Sequence, residues 1–216
     1  MVKNRTAQLI FQSTYCALGI LGSISCLGIF DDYTDIRWDF YIYFTNISNF
    51  LCLGVMLAEL VQTAKKKDDS FVSAVPLLKF IAMLGIMLTF FVFNILLAGD
   101  REPQLNFRVN SVLFHLVLPI MYVADWVVFY EHKKVKWFYP LVSTAFPLGY
   151  VAFIFIRSAI LGFDIENYTL YPYFFLDLDK QGVGGVASWI GILFAAFVVA
   201  GYIFMGLDRL IKCKKS

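Results

Sequence analysis

Thr45 and His115 are the two side chains whose types and placement point most directly to chemistry. Each lies inside a long apolar stretch, at matching inferred depth, where a polar group is costly in hydrocarbon. A threonine hydroxyl is a poor nucleophile until a neighbouring base takes its proton, and a neutral imidazole suits that task at ordinary pH. Together the pair would attack an ester carbonyl, hold the acyl group on Thr45, and release it to water with the same imidazole as base and then acid. Charge gathering on the carbonyl oxygen needs donors already in place, and the amides of Asn94, Asn49 and Asn46 fall in the same layer. Arg157 lies at similar depth and would orient the carboxylate or phosphate of a lipid through a bidentate contact.

A second set, Glu59, Lys79 and Asp125, occupies the opposite half of three stretches. Their opposite signs predict a buried ionic cluster tying the second, third and fourth stretches together, because a lone charge there is expensive. Acids and a base inside a membrane equally mark a proton path.

Six apolar stretches must carry these residues. Hydrophobic residues make up 60% of the 216 and charged ones 16%, and the mean hydropathy is +0.71, a composition that requires lipid as the solvent. A crossing takes about 20 residues at about 1.5 Å each. The pattern predicts an all-α, polytopic bundle of six spans at roughly 7 to 30, 40 to 64, 71 to 98, 109 to 130, 138 to 162 and 186 to 208, as one transmembrane domain over 1–216. Helical spacing places Thr45, Ser48, Asn49, Cys52, Met56 and Glu59 on one stripe of the second span. Ser111, His115, Pro119, Tyr122 and Trp126 make the matching stripe of the fourth.

Orientation follows from the basic residues. The N-terminus (Lys3, Arg5), the second loop (Lys65, Lys66, Lys67), the fourth loop (Lys133, Lys134, Lys136) and the tail (Arg209, Lys212, Lys214, Lys215) hold most of the 18. The other loops carry only Arg37, Arg101, Arg108 and Lys180, together with acids at Asp31, Asp32, Asp35, Asp164, Glu166, Asp177 and Asp179. Both termini are therefore expected to be cytoplasmic, in the cell membrane, with anionic lipid and not nucleic acid against the basic face. Lys3 and Arg5 precede an apolar run too long for a cleaved signal, so the first span is expected to be retained. Cys16, Cys26, Cys52 and Cys213 have neither CxxC nor Cys/His spacing, which predicts no zinc and no structural disulfide. Pro76, Pro119 and Pro147 fall inside expected spans, where a proline removes a donor and kinks the helix. The loop from about 163 to 185, rich in aromatics at Tyr168, Tyr171, Tyr173, Phe174 and Phe175, lies along the interface as a belt or folds over a cavity as a lid; the belt is the simpler arrangement.

The segment Trp38 to Asn49, WDFYIYFTNISN, resembles the aromatic-rich lead into the second helix of the androgen-induced membrane protein family, which includes the androgen-dependent regulator of tissue factor pathway inhibitor. Ser111 to Phe129, SVLFHLVLPIMYVADWVVF, is similar to that family's helix with a histidine shortly before V-L-P. YPYFFLD at Tyr171 to Asp177 and WFYP at Trp137 to Pro140 resemble bacterial members. The likeness implies a six-helix membrane threonine hydrolase with Thr45 as nucleophile and His115 as its catalytic partner. It implies fatty acid esters of hydroxy fatty acids as substrates, and neither metal nor organic cofactor. Asn46, Asn49 and the tyrosine-rich loop depart from the animal pattern and shift the expected ester. An acyltransferase branch that uses cysteine is disfavoured, since none lies near His115.

The expected function is therefore hydrolysis of a lipid ester in a site open to the outer leaflet, the partners being a fatty-acyl ester and membrane lipid. Two readings stand beside it. A small-solute or proton-linked transporter would run from the outer polar layer through Glu59, Lys79 and Asp125, without the repeat such carriers usually carry. A non-catalytic protein would hold lipid in the same cavity.

Overall fold

The computed structural model describes residues 4–27, 38–66, 72–100, 103–161 and 169–211. Among these, every regular element is helical. Six helices are long and apolar enough to cross a membrane: α1 (Arg5–Cys26), α2 (Phe44–Lys65), α3 (Pro76–Leu97), α4 (Val109–Phe129), α5 (Tyr139–Leu161) and α6 (Leu178–Leu210). Ile10, Ile156, Ile160, Ile192 and Val199 are each more than half exposed on the outside of the bundle, as side chains solvated by lipid must be.

Local chemistry sets the helix ends. Asn4 caps α1, its side chain accepting from Ala7 N at 3.0 Å. Pro76 begins α3, where its missing N–H costs nothing, so this proline starts a helix instead of kinking one. Pro147 cannot bond the Ser143 carbonyl, and α5 breaks at Thr144, which turns back onto Leu141 O at 3.1 Å. The sixth helix starts eight residues before the expected 186. The Asp177 carboxylate accepts the N–H groups of Asp179 and Lys180 at 3.1 Å each and nucleates a turn. Gly182, at φ 65°, then bends the chain into the long helix.

α1, α2, α3 and α4 enclose the main core, in which Tyr15, Cys52, Met56, Met83, Tyr122 and Trp126 are fully buried. Gly22 of α1 lets Phe114 lie where a Cβ would stand 2.4 Å from its ring, and Gly85 of α3 does the same for Phe146. α5 and α6 pack along α3. A second core gathers Ile42, Phe44, Tyr150, Ile154, Phe175 and Leu176.

Of the residues on which the orientation rests, Lys3, Arg37, Lys67, Arg101, Lys212, Lys214, Lys215, Asp31, Asp32, Asp35, Asp164 and Glu166 lie outside the described residues, as do Cys213 and Tyr168.

Candidate functional site

Thr45 stands in the first turn of α2, which a short 3₁₀ turn, Trp38–Ile42, leads into. Tyr43 at the N-cap offers no side-chain bond to this turn, so its backbone donors turn elsewhere. The N–H of Thr45 donates to the phenolic oxygen of Tyr173 at 3.4 Å. One turn on, Ser48 Oγ donates to Thr45 O at 3.0 Å and lies 2.7 Å from Thr89 Oγ1 of α3. Since Ser48 has a single hydrogen, Thr89 is the donor of that second bond.

His115 belongs to a π-turn, Leu113–Val117, inside α4, and Asn94 to another, Phe93–Leu97, at the end of α3. The slipped register has a definite cause and consequence. Leu118 N bonds Leu113 O, five residues back, and Pro119 has no N–H. The carbonyls of Phe114 and His115 thereby lose their α-helical partners, and two asparagines replace them. Asn49 Nδ2 of α2 donates to Phe114 O at 3.2 Å and to Thr45 O at 2.8 Å. Asn94 Nδ2 donates to His115 O at 3.2 Å and to Phe90 O at 2.7 Å. One nitrogen thus spans the Thr45 carbonyl and that of the residue before His115, which sets these carbonyls no more than about 6 Å apart.

The His115 ring lies parallel to Phe93, with centroids 3.5 Å apart. Its Nδ1 is 3.0 Å from Ser111 O and 3.3 Å from Ser111 Oγ. A carbonyl only accepts, so Nδ1 carries a proton.

Thr45 and Phe93 face a cavity bounded by α2, α3, α5, α6 and the 169–177 segment. The cavity is narrow, about 80 Å³ in volume. Leu88, Val92, Val151, Leu193, Phe194 and Phe197 make much of the wall, and Thr45, Thr89, Tyr150 and Tyr173 are the hydroxyl-bearing residues in it. Tyr173, Phe175 and Leu176 therefore fold over the cavity, and the segment is a strap and not a belt on the surface. Stacking of Tyr173 on Phe175 at 5.1 Å and the edge contact of Phe174 with Trp189 at 5.5 Å hold it down. Burial keeps the Tyr173 phenol above its ordinary pKa, with hydrogen bonds to Thr45 pulling the other way.

The remaining expected residues take other partners. Asn46 Nδ2 donates to Phe40 O at 2.7 Å. Arg157, 8% exposed, donates from Nη1 to Thr169 O at 2.7 Å and lies over the Tyr41 ring at 5.8 Å, so it tethers the start of the strap. Both hydrogens of the Asn49 and Asn94 amides go to carbonyls, while Asn49 Oδ1 is buried with no hydrogen-bond partner. The ionic set divides in two. Lys79 Nζ meets Asp125 Oδ2 at 2.6 Å, joining α3 to α4, with Gln12 Nε2 of α1 at 3.5 Å from the other carboxylate oxygen. Glu59 accepts from Ser73 ahead of α3.

Sequence reasoning named Tyr173 in a loop that forms a belt or a lid but did not place it beside Thr45, and it missed a second buried pair altogether. His132 Nδ1 lies 3.1 Å from Asp208 Oδ1, both side chains fully buried, with His132 Nε2 3.1 Å from Val127 O and Val135 N donating to Asp208 Oδ2 at 3.0 Å. This pair locks the α4–α5 connection to the end of α6. A histidine amid Glu131, Lys133 and Lys134 reads as solvated loop, and the one signal was an acid, Asp208, in the last apolar turns of the sixth span. Among the described residues no cluster of His, Cys, Asp or Glu is arranged to hold a metal ion.

Comparison of the chain with protein families, characterised proteins and solved structures gives no match.

Proposed function

We propose that this chain is an integral membrane hydrolase of fatty-acyl esters, with Thr45 as nucleophile and His115 as base and then acid. The observation that carries the reading is Thr45 in the wall of a narrow cavity that is otherwise almost wholly apolar. Such a cavity takes an acyl chain, and its few hydroxyls gather where an ester group would stop. The tether through Asn49 keeps the first turn of α2 beside the π-turn of α4, which supports the pairing of Thr45 with His115. Nδ1 faces the Ser111 carbonyl, which assigns the role of base to Nε2 in this reading. π-Turns recur at functional sites, since they re-aim one side chain at the cost of one helical bond. Esters of hydroxy fatty acids are the substrates the family resemblance suggests. Both termini are cytoplasmic in this account, the membrane is that of the cell, and the cavity belongs to the outer half.

Purified protein in detergent should cleave long-chain acyl esters, and Thr45→Ala and His115→Ala should each abolish cleavage while the far-ultraviolet circular dichroism stays unchanged. Full turnover in both variants would end the assignment. The commitment of the Asn49 and Asn94 amides to backbone carbonyls favours one other reading, a protein that holds lipid without turning it over. That reading predicts co-purifying lipid and no cleavage. Proton flux in liposomes that Asp125→Asn abolishes and Thr45→Ala leaves intact would turn the account toward a carrier.

A further inference from the structure

A hydrolase of this kind needs hydrogen-bond donors for the charge that forms on the ester oxygen, and the structure allows them to be counted. The Asn49 and Asn94 amides each give both hydrogens to carbonyls. Among the cavity hydroxyls, Thr89 donates to Ser48, and Tyr150 donates to Ile42 O at 2.8 Å. Tyr173 differs. Its oxygen accepts from Thr45 N, and its side-chain partner is the Thr45 hydroxyl itself, the group an ester would meet, with no carbonyl or carboxylate against it among the described residues. Edge contacts from Tyr43 at 6.3 Å and stacking on Phe175 fix the ring, so the hydroxyl is held beside Thr45 before any ligand arrives.

Resting on the hydrolase reading, we propose that Tyr173 is a third catalytic residue: its O–H, together with the N–H of Thr45, forms the oxyanion site. The Thr45–Tyr173 contact, at 3.4 Å, is long, and an ester oxygen placed between the two donors receives a bond from each. As Thr45 Oγ1 bonds to the carbonyl carbon, its proton passes to the His115 ring and the carbonyl π electrons move onto the oxygen. Tyr173 keeps its proton throughout. Collapse of the tetrahedral adduct breaks the bond to the alcohol oxygen, which leaves with the proton from His115. Water then repeats the sequence on the acyl-threonine. The Thr45 N–H lies in the uncapped first turn of α2, where the helix dipole favours negative charge. The strap thus completes the site and does more than cover it.

The test is steady-state hydrolysis of a long-chain p-nitrophenyl ester by the full-length protein in micelles, comparing wild type, Thr45→Ala and Tyr173→Phe. Phenylalanine keeps the stacking on Phe175 and removes only the hydroxyl. Loss of one such donor lowers kcat by about 10²- to 10³-fold, so Tyr173→Phe should lose that much kcat with KM changed less than about threefold. The proposal is overturned if Thr45→Ala is dead while Tyr173→Phe keeps kcat within about threefold, or if its loss appears in KM alone. Wild-type protein without turnover, or Thr45→Ala with full turnover, would instead remove the hydrolase reading and Tyr173's role with it.

Discussion

Replacing Asn49 by alanine should cost more than removal of an ordinary bond between membrane helices, and the reason lies in Pro119. Interhelical side-chain bonds in bilayers average about 0.6 kcal/mol, because the separated helices find other partners. Phe114 O has none: Leu118 N is spent on Leu113 O, residue 119 has no N–H, and Asn49 Nδ2 is the donor that reaches it. Thr45 O, by contrast, keeps Ser48. Asn49→Ala therefore strands one buried carbonyl, a loss of about 1–3 kcal/mol. Pro119→Ala supplies an N–H which, in the slipped register of this turn, addresses Phe114 O. The double variant should recover about 1 kcal/mol relative to the sum of the singles, a coupling within the range seen for residues sharing one network. Equilibrium unfolding in mixed micelles, followed by circular dichroism, measures all four corners of the cycle. Additivity within about 0.5 kcal/mol would refute the account of the π-turn, since unconnected sites add.

Asp125→Leu leaves Lys79 buried and unpaired and should destabilise by about 3–5 kcal/mol, while Asp125→Leu with Lys79→Met recovers most of it; thermal unfolding in micelles decides. Gly182→Ala forces a side chain into φ 65°, ψ 169° with nothing crowding it, so a purely backbone cost of about 1–3 kcal/mol is expected, read as a lower Tm and faster proteolysis in the strap. Burial works against the Asp177 charge, but bonds from Lys180 outweigh it and hold the carboxyl below its usual value. Its contribution is therefore complete above about pH 4, the unfolded value, and is lost as pH falls through the folded one. Asp177→Asn should flatten that acid limb of the stability profile, and Asp177→Ala should cost about 1 kcal/mol of capping at neutral pH.

Hydropathy alone located the six helices, because a chain of this composition must satisfy its backbone within each crossing. The third and fourth spans end within a residue of the expected 98 and 130, but the third begins at Pro76, five residues after the expected 71. The sixth departs further, since its start depends on the Asp177 cap and on a positive φ at Gly182, neither of which alters the apolar count. Of the polar layer that spacing grouped together, Thr45 lines the cavity, whereas Asn46, Asn49, Asn94, His115 and Arg157 do not. Spacing assigned Asn49 and Asn94 to the substrate, because whether a carbonyl is already satisfied depends on the register of α4, and only Pro119 hinted at the slip. His132 and Asp208 escaped because 76 residues separate them, and their burial comes from the packing of α6 against the α4–α5 connection.

The central claim is that Thr45 is a nucleophile activated by His115. Mass spectrometry of the protein after reaction with a long-chain fluorophosphonate tests it most directly. The account predicts one adduct, on the Thr45 hydroxyl, absent from Thr45→Ala and at least about 10²-fold slower to form in folded His115→Ala. An adduct on another residue, or equal labelling rates with and without the imidazole, would contradict it.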